Sequence, residues 1–228
     1  VIHELQRRNC YVPIPDWYFL NGQSSTGMGY REATANLPQN QQLLLKRQYI
    51  YDGTYHKIPT MGWINMELSK KDITLEPLEE NLEHYENALM QFLGSGAQFG
   101  VRAKRLYDTP KTKAMVKKCV DWYKKYREVL TGDIIHLGRP NGRDLDCMMH
   151  VNPYGKDKAM VMVFNPTDRK IEKKITIPLY YSGLKQKAAV SEKENPAKKY
   201  PLDNEAKTTI DVSLEAGDLT WFLIRETQ

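Results

Sequence analysis

Two rhythms of apolar residues run along the chain. Up to about Leu130, short apolar runs alternate with stretches whose apolar residues recur every three or four positions, the spacing of a helix with one buried face. Val1 to Arg8 reads as the last turns of a helix and Cys10 to Ile14 as a short buried strand, so the pattern opens inside a repeating unit. Pro38 to Tyr51 predicts a helix, with Pro in the first turn, Leu44, Leu45, Gln48 and Tyr51 at mixed three- and four-residue spacing, and Gly53 closing it. Ile58 to Leu68 predicts a second strand. Pro77 to Leu93 predicts the next helix, with Leu78, Leu82, Tyr85, Leu89 and Phe92 along one face and Gly94-Ser-Gly96 as its stop. Ala97 to Val101 follows as a third strand, and Asp108-Thr109-Pro110 starts a last helix, Lys111 to Leu130. Its Met115, Cys119, Trp122, Tyr123, Tyr126 and Leu130 form an apolar face opposite lysines that read as a solvated face. Three strand-helix units with short connections imply parallel strands joined by right-handed crossovers.

Beyond Asp133 the helical period disappears. Leu145 to Val151, Met160 to Asn165, Ile171 to Ile177, Gln186 to Val190, Thr208 to Leu214 and Leu219 to Arg225 read as short strands. Asn141-Gly142, Asn152-Pro-Tyr-Gly155, Asn165-Pro-Thr-Asp168 and Ala216-Gly-Asp218 separate several of them with residues that reverse a chain. This punctuation predicts an antiparallel β-sandwich. The expected fold class is α/β followed by all-β, divided near Thr131-Gly132-Asp133 into residues 1–131 and 132–228.

Composition narrows the classes. At 228 residues, 41% hydrophobic and 27% charged, with 14 Gly and 12 Pro, the chain is neither collagen-like nor mostly disordered, and it is long for one ordinary domain of about 100 to 150 residues. No apolar run approaches the roughly 20 residues of a membrane span, and Glu4, Arg7 and Arg8 interrupt the opening where a signal peptide needs a continuous apolar stretch. The net charge of +5 comes from 33 basic and 28 acidic residues spread along the sequence, so no basic stripe points to nucleic acid. The three cysteines, Cys10, Cys119 and Cys147, are far apart and read as ordinary buried thiols. None of His3, His56, His84, His136 and His150 has a partner at metal-ligand spacing, and no phosphate-binding loop or Gly-x-Ser-x-Gly elbow occurs, so no metal or other cofactor is expected.

The densest chemistry lies in Pro15 to Glu32, directly after the first expected strand. Parallel α/β folds bind ligands at the carboxyl ends of their strands, which puts Asp16 and the loop after it on the reactive face. Asp16 stands beside Trp17, Tyr18 and Phe19, a setting that suits sugar rings and, if desolvated, a carboxyl with a raised pKa. A turn or helix-cap aspartate beside core aromatics is the competing reading. Arg31-Glu32 follows the Gly27-Met-Gly29 loop and is the second candidate. Trp63, Asn65 and Glu67 alternate along the second strand, and Arg102, Lys104 and Arg105 follow the third; the basic trio has a plain alternative in offsetting the helix carboxylates Glu79, Glu80, Glu83 and Glu86.

Four segments taken together, Pro15-Asp-Trp-Tyr-Phe-Leu-Asn-Gly22, Gly27-Met-Gly-Tyr-Arg-Glu32, Leu106-Tyr-Asp-Thr-Pro110 and Ile177-Pro-Leu-Tyr-Tyr-Ser-Gly-Leu184, resemble the C-terminal part of bacterial glycoside hydrolases of the α-galactosidase (melibiase-like) group, particularly the polysaccharide-degrading proteins of Bacteroides type. The resemblance runs over nearly the whole chain, including the Trp122 helix and the final Thr220-Trp-Phe-Leu-Ile. It implies the last three strand-helix units of a (β/α)8 barrel followed by an antiparallel β-sandwich. It implies a retaining two-carboxylate mechanism whose nucleophile aspartate belongs to a barrel half upstream of Val1, so the chain alone should be inactive. Asp16 or Glu32 would then be the acid/base, and Trp17, Tyr18, Arg31, Trp63 and Arg102 would contact an oligosaccharide or polysaccharide substrate, in the periplasm or at the cell surface. The rival reading is a non-catalytic carbohydrate-binding or scaffolding module with Trp17, Tyr18 and Trp63 as stacking platforms, and a third is an unrelated α/β binding protein.

Overall fold

The computed structural model describes Glu4, Arg7, Arg8 and residues 37–53, 65–67, 69–70, 73–74, 76–96 and 99–227. Three helices come first: α1 (Gln39–Gly53), α2 (Leu82–Gly94), entered through a 3-10 turn (Leu78–Asn81), and α3 (Pro110–Leu130). Between them lie the short strands β1 (Asn65–Glu67), β2 (Ser69–Lys70), β3 (Ile73–Thr74) and β4 (Gly100–Arg102). β1 and β4 pair in parallel, with Met66 opposite Val101, and β2 and β3 make a small antiparallel hairpin. The expected first strand, Cys10 to Ile14, lies outside the described residues.

α3 starts where its sequence signals it. Thr109 accepts from the backbone N–H of Thr112, the Thr112 hydroxyl accepts from the Thr109 N–H, and Pro110 fills the first helical position, where a missing N–H costs nothing. Its buried face is Met115, Cys119, Tyr126, Val129 and Leu130, with Trp122 and Tyr123 half-buried; Lys111, Lys113, Lys117, Lys118, Lys124 and Lys125 are exposed. α2 buries Tyr85, Leu89 and Phe92 as its spacing predicts. α1 differs from expectation: Leu44 and Leu45 are only half-buried, and the buried side chains are Gln42, Lys46, Arg47 and Ile50. The reason is a polar partner across the interface, since Arg47 is drawn in by a carboxylate of the following sheet and fixes which face of α1 turns inward.

All remaining strands are antiparallel. β5 (Asp133–His136), β6 (Asp146–Val151), β7 (Ala159–Phe164), β9 (Lys187–Glu192), β10 (Lys198–Pro201) and β12 (Leu219–Glu226) form one six-stranded sheet in the order β10-β9-β12-β7-β6-β5. β8 (Ile171–Pro178) pairs with β11 (Lys207–Leu214) as a second, two-stranded sheet. β5 and β10 were not anticipated from the sequence. Period-two alternation sends Met160, Met162 and Phe164 of β7 toward the helices and Ala159, Val161 and Val163 toward the β8–β11 sheet, so every residue of this strand is buried. β11 is covered on one side only and alternates buried with exposed. The result is three layers, helices, large sheet and small sheet, with one apolar cluster in each gap.

Two turns show how the layers are locked. Asn165, at the end of β7, is buried: its amide donates to the carbonyls of Arg169 (2.8 Å), Leu214 (3.1 Å) and Glu215 (2.8 Å), while its oxygen accepts from the Thr167 N–H (3.0 Å) and hydroxyl (2.7 Å). Gly132, between α3 and β5, passes so close to β6 that a Cβ there would meet the Val151 carbonyl oxygen at 2.2 Å, and only glycine fits.

Candidate active site

The parallel pair marks the end of the helical half at which a ligand is expected. β1 and β4 finish together, with Glu67 the register partner of Arg102, and the loops beyond these residues occupy the position where parallel α/β folds gather their ligand groups. Arg102 therefore has its backbone at the carboxyl end of a parallel strand. Asp16, Trp17, Tyr18, Arg31, Glu32 and Trp63 lie outside the described residues, so their arrangement with respect to β1 and β4 is not part of the described geometry.

The loop after β4 is tied down by its own sequence. Asp108 accepts from the Leu78 N–H at 2.5 Å and from the Thr112 hydroxyl at 3.0 Å, joining the start of α3 to the 3-10 turn that leads into α2. Partial desolvation tends to raise the Asp108 pKa, but the hydrogen bonds from Thr112 and Leu78 outweigh it and hold the carboxyl below its ordinary value. Tyr85 donates its hydroxyl to the Leu106 carbonyl at 2.9 Å, and burial pushes its pKa up to about 12. Arg105 pairs with Glu76 at 2.8 Å, whereas Glu79 and Glu86 are met by lysines of α3, Lys111 at 3.7 Å and Lys118 at 2.7 Å, so the carboxylate that Arg105 meets is not one of the expected helix carboxylates. Asp108 and Thr109 of the Leu106-Tyr-Asp-Thr-Pro110 motif thus have capping and bridging tasks. Val101, Leu106 and Tyr107, in and just after β4, are exposed, with the Lys113 ammonium 5.4 Å from the Tyr107 ring centre.

A buried polar cluster among the described residues lies elsewhere, between α1, α2 and the large sheet. Arg47 makes a two-point ion pair with Asp146, Nε to Oδ1 at 2.7 Å and an Nη to Oδ2 at 3.0 Å, and a further Nη donates to the Gln91 side-chain oxygen. Gln91 donates to Asn87 (2.7 Å) and Asn87 to the Gly217 carbonyl (2.7 Å), which extends the chain of bonds to the turn before β12. The Arg47 guanidinium also sits 4.7 Å above the ring centre of Phe164, the cross-strand partner of Asp146. Burial raises the Asp146 pKa and Arg47 pulls it back. With both carboxylate oxygens engaged and the Arg47 and Asp146 side chains only 4% and 5% exposed, this is a structural tie and not an acid/base pair. Sequence reading missed it because Arg47 sits on a polar-looking stretch and Asp146 heads an otherwise apolar strand.

Among the described residues, both cysteines are quenched. Burial raises the Cys119 thiol to about 11 and the Cys147 thiol to about 12, far from the thiolate form a nucleophile needs. His150 is buried with Nε2 2.8 Å from the Gly94 carbonyl oxygen. Among the described residues no group of three or more His, Cys, Asp or Glu is arranged to hold a metal ion, and no helix is long and apolar enough to cross a membrane.

No protein-family model and no curated protein matches the chain. Solved structures do match in part. The galactosidase domain of an α-galactosidase-sucrose kinase is 16% identical, with 81% of this chain and 25% of that chain covered at a TM-score of 0.48. Alpha-galactosidase I from Mortierella vinacea is 8% identical, with 63% and 36% covered at 0.45. AmyP, solved in complex with maltose, is 11% identical, with 70% and 40% covered at 0.42. The chain therefore spans between a quarter and two-fifths of the length of these structures, and it bears a partial structural resemblance to α-galactosidase-type glycoside hydrolases at low sequence identity.

Proposed function

We propose that the chain is the C-terminal part of a glycoside hydrolase acting on α-linked galactose-like sugars with retention of configuration, residues 1–131 belonging to a (β/α)8 barrel and 132–228 forming an accessory β-sandwich. One observation carries the reading: β1 and β4 pair in parallel with an amphipathic helix between them, and an antiparallel two-sheet unit follows in the chain. That is the order the four sequence motifs imply.

In such a mechanism one carboxylate attacks the anomeric carbon while a carboxylic acid gives its proton to the departing oxygen, and water completes the cycle with the second group now acting as base. Asp16 or Glu32 fills the proton-donor role, Asp16 being preferred because in the sequence it follows an expected strand and stands beside Trp17, Tyr18 and Phe19. Trp17, Tyr18, Arg31, Trp63 and Arg102 contact the sugar. The nucleophile belongs to the upstream barrel half, so the purified 228-residue chain releases no nitrophenol from an aryl α-galactoside.

The decisive experiment is done on the longer parent protein. A general acid contributes about 10² to 10⁴ in rate, most where the leaving group is poor. Asp16→Asn or Glu32→Gln, whichever removes the acid, suppresses turnover of natural oligosaccharides far more than that of an activated aryl substrate, and azide partly rescues the latter as a glycosyl azide. Near wild-type rates on both substrates in both folded variants sink the assignment.

A further inference from the structure

Between residues 133 and 227 the large apolar side chains left exposed are all tyrosines: Tyr154 at 97%, Tyr180 at 72% and Tyr181 at 57%. Scattered exposed apolar residues are ordinary, but these stand on two adjoining, well-fastened turns. In the first, the Asn152 side-chain oxygen accepts from the N–H groups of Tyr154 (3.3 Å) and Gly155 (3.0 Å), and Lys158 donates to the Pro153 carbonyl (2.8 Å). In the second, a 3-10 turn (Tyr180–Ser182) is anchored by buried Leu179 and Leu184, the Ser182 hydroxyl donates to the Leu179 carbonyl (2.6 Å), and Gly183 at φ 80° turns the chain where a side chain would be strained. A Cβ placed on Gly183 would lie 3.9 Å from Pro153 Cβ, so the turns abut. The Tyr180 and Tyr181 rings meet edge to face, 5.4 Å between centres and 86° between planes.

We propose that this tyrosine cluster is a second carbohydrate site, a non-catalytic platform for neutral pyranose units of a polysaccharide chain; the choice of ligand rests on the glycoside hydrolase reading above. A pyranose offers a flat patch of C–H groups rimmed by hydroxyls. A tyrosine matches both, with an apolar ring face and a phenol that donates and accepts, and with two side-chain torsions it loses little entropy when it binds. Two rings held at right angles give a platform and a wall. Tyrosine is enriched at protein interfaces as well, so the sugar is chosen by the hydrolase reading, and a partner copy of the chain is an outcome of the test; among the described residues of this half no exposed Leu, Ile, Val, Met or Phe accompanies the tyrosines. None of the three tyrosines belongs to β1, β4 or the loop after β4.

Affinity electrophoresis of the 228-residue chain in gels containing galactomannan or soluble starch tests this directly. The wild type is expected to be retarded by at least one of the two, and the triple variant Tyr154→Ala/Tyr180→Ala/Tyr181→Ala to lose about tenfold or more in affinity with unchanged thermal unfolding. A wild type that runs unretarded in both gels overturns the proposal, as does a triple variant that binds normally, or a self-association seen by sedimentation that the triple variant abolishes. Loss of the hydrolase reading alone would be seen separately, in the Asp16 and Glu32 variants of the parent.

Discussion

The two faces of the six-stranded sheet are built from different side chains. Toward the helices it presents Met148, Met160, Met162, Phe164, Trp221 and Leu223; toward the β8–β11 sheet it presents Met149, Val151, Val161, Val163, Val190, Phe222 and Ile224. The difference follows from what each face meets. Two sheets about 10 Å apart offer a regular gap that stiff β-branched side chains fill in their preferred rotamers. Three helices offer an irregular one, and methionine, with its flexible thioether, fits such gaps where a rigid side chain would leave voids. The helix-facing side also holds the buried Arg47–Asp146 pair and the Trp122, Tyr126 and Trp221 rings, each pair with centres 5.0 to 5.8 Å apart. An apolar face alone allows sliding; a two-point ion pair sets one position.

The sharpest way to break this comparison is at the ion pair. Asp146→Ala strands a buried guanidinium and is expected to cost about 4 kcal/mol in urea unfolding. The double change Arg47→Met/Asp146→Leu removes both charges and should cost much less. Equal losses in the two would refute the buried-charge account.

Packing comes next in size. Ile177→Ala, in the regular gap, should cost about 3 kcal/mol, whereas Met162→Leu, in the irregular one, should cost under about 1.5 kcal/mol. Guanidinium denaturation of both variants reads the contrast, and a Met162→Leu loss as large as that of Ile177→Ala would mean the helix-facing gap is as exacting as the other.

The smallest effect tests the loop after β4. Because hydrogen bonds depress the Asp108 pKa in the folded state, its stabilisation is fully present above the ordinary carboxylate range near pH 4 and is lost as pH falls through the lowered folded value. Thermal unfolding should therefore find wild type more stable than Asp108→Asn at pH 7, with the gap closing toward pH 3. A gap that stays constant over that range rules out the ionised carboxyl as its source.

What the sequence revealed follows the same division. β7 and β12 are long apolar runs because both faces are covered, β11 alternates because one face is, β8 alternates only past the exposed Glu172-Lys-Lys174, and α3 carries its own start signal in Thr109-Pro110, so all of these were legible to within a residue or two. β5 and β10 are short strands at the two edges of the large sheet, and β10 carries Lys198, Lys199 and Pro201, the residues by which edges are kept from pairing further; they hide a strand from any apolar pattern. The inward face of α1 was missed because it depends on Asp146, 99 positions away, and no local rule sees that pairing. The parallel pairing of β1 with β4 agrees with the expected units, while the candidate acid residues Asp16 and Glu32 rest on sequence alone.

The two-sided burial of β7 bears on how this protein can be cut. A piece beginning at residue 132 would keep its small sheet but lay bare the Met148, Met160, Met162, Phe164, Trp221 and Leu223 surface, a wide greasy wall with Asp146 stranded in it. Expressed by itself, such a piece would be prone to clump, and a cell's quality control would treat it as damaged goods. The sandwich is in that sense less an appendage than the floor on which the helices stand, and trimming for crystallisation or engineering should spare α1, α2 and α3 with it.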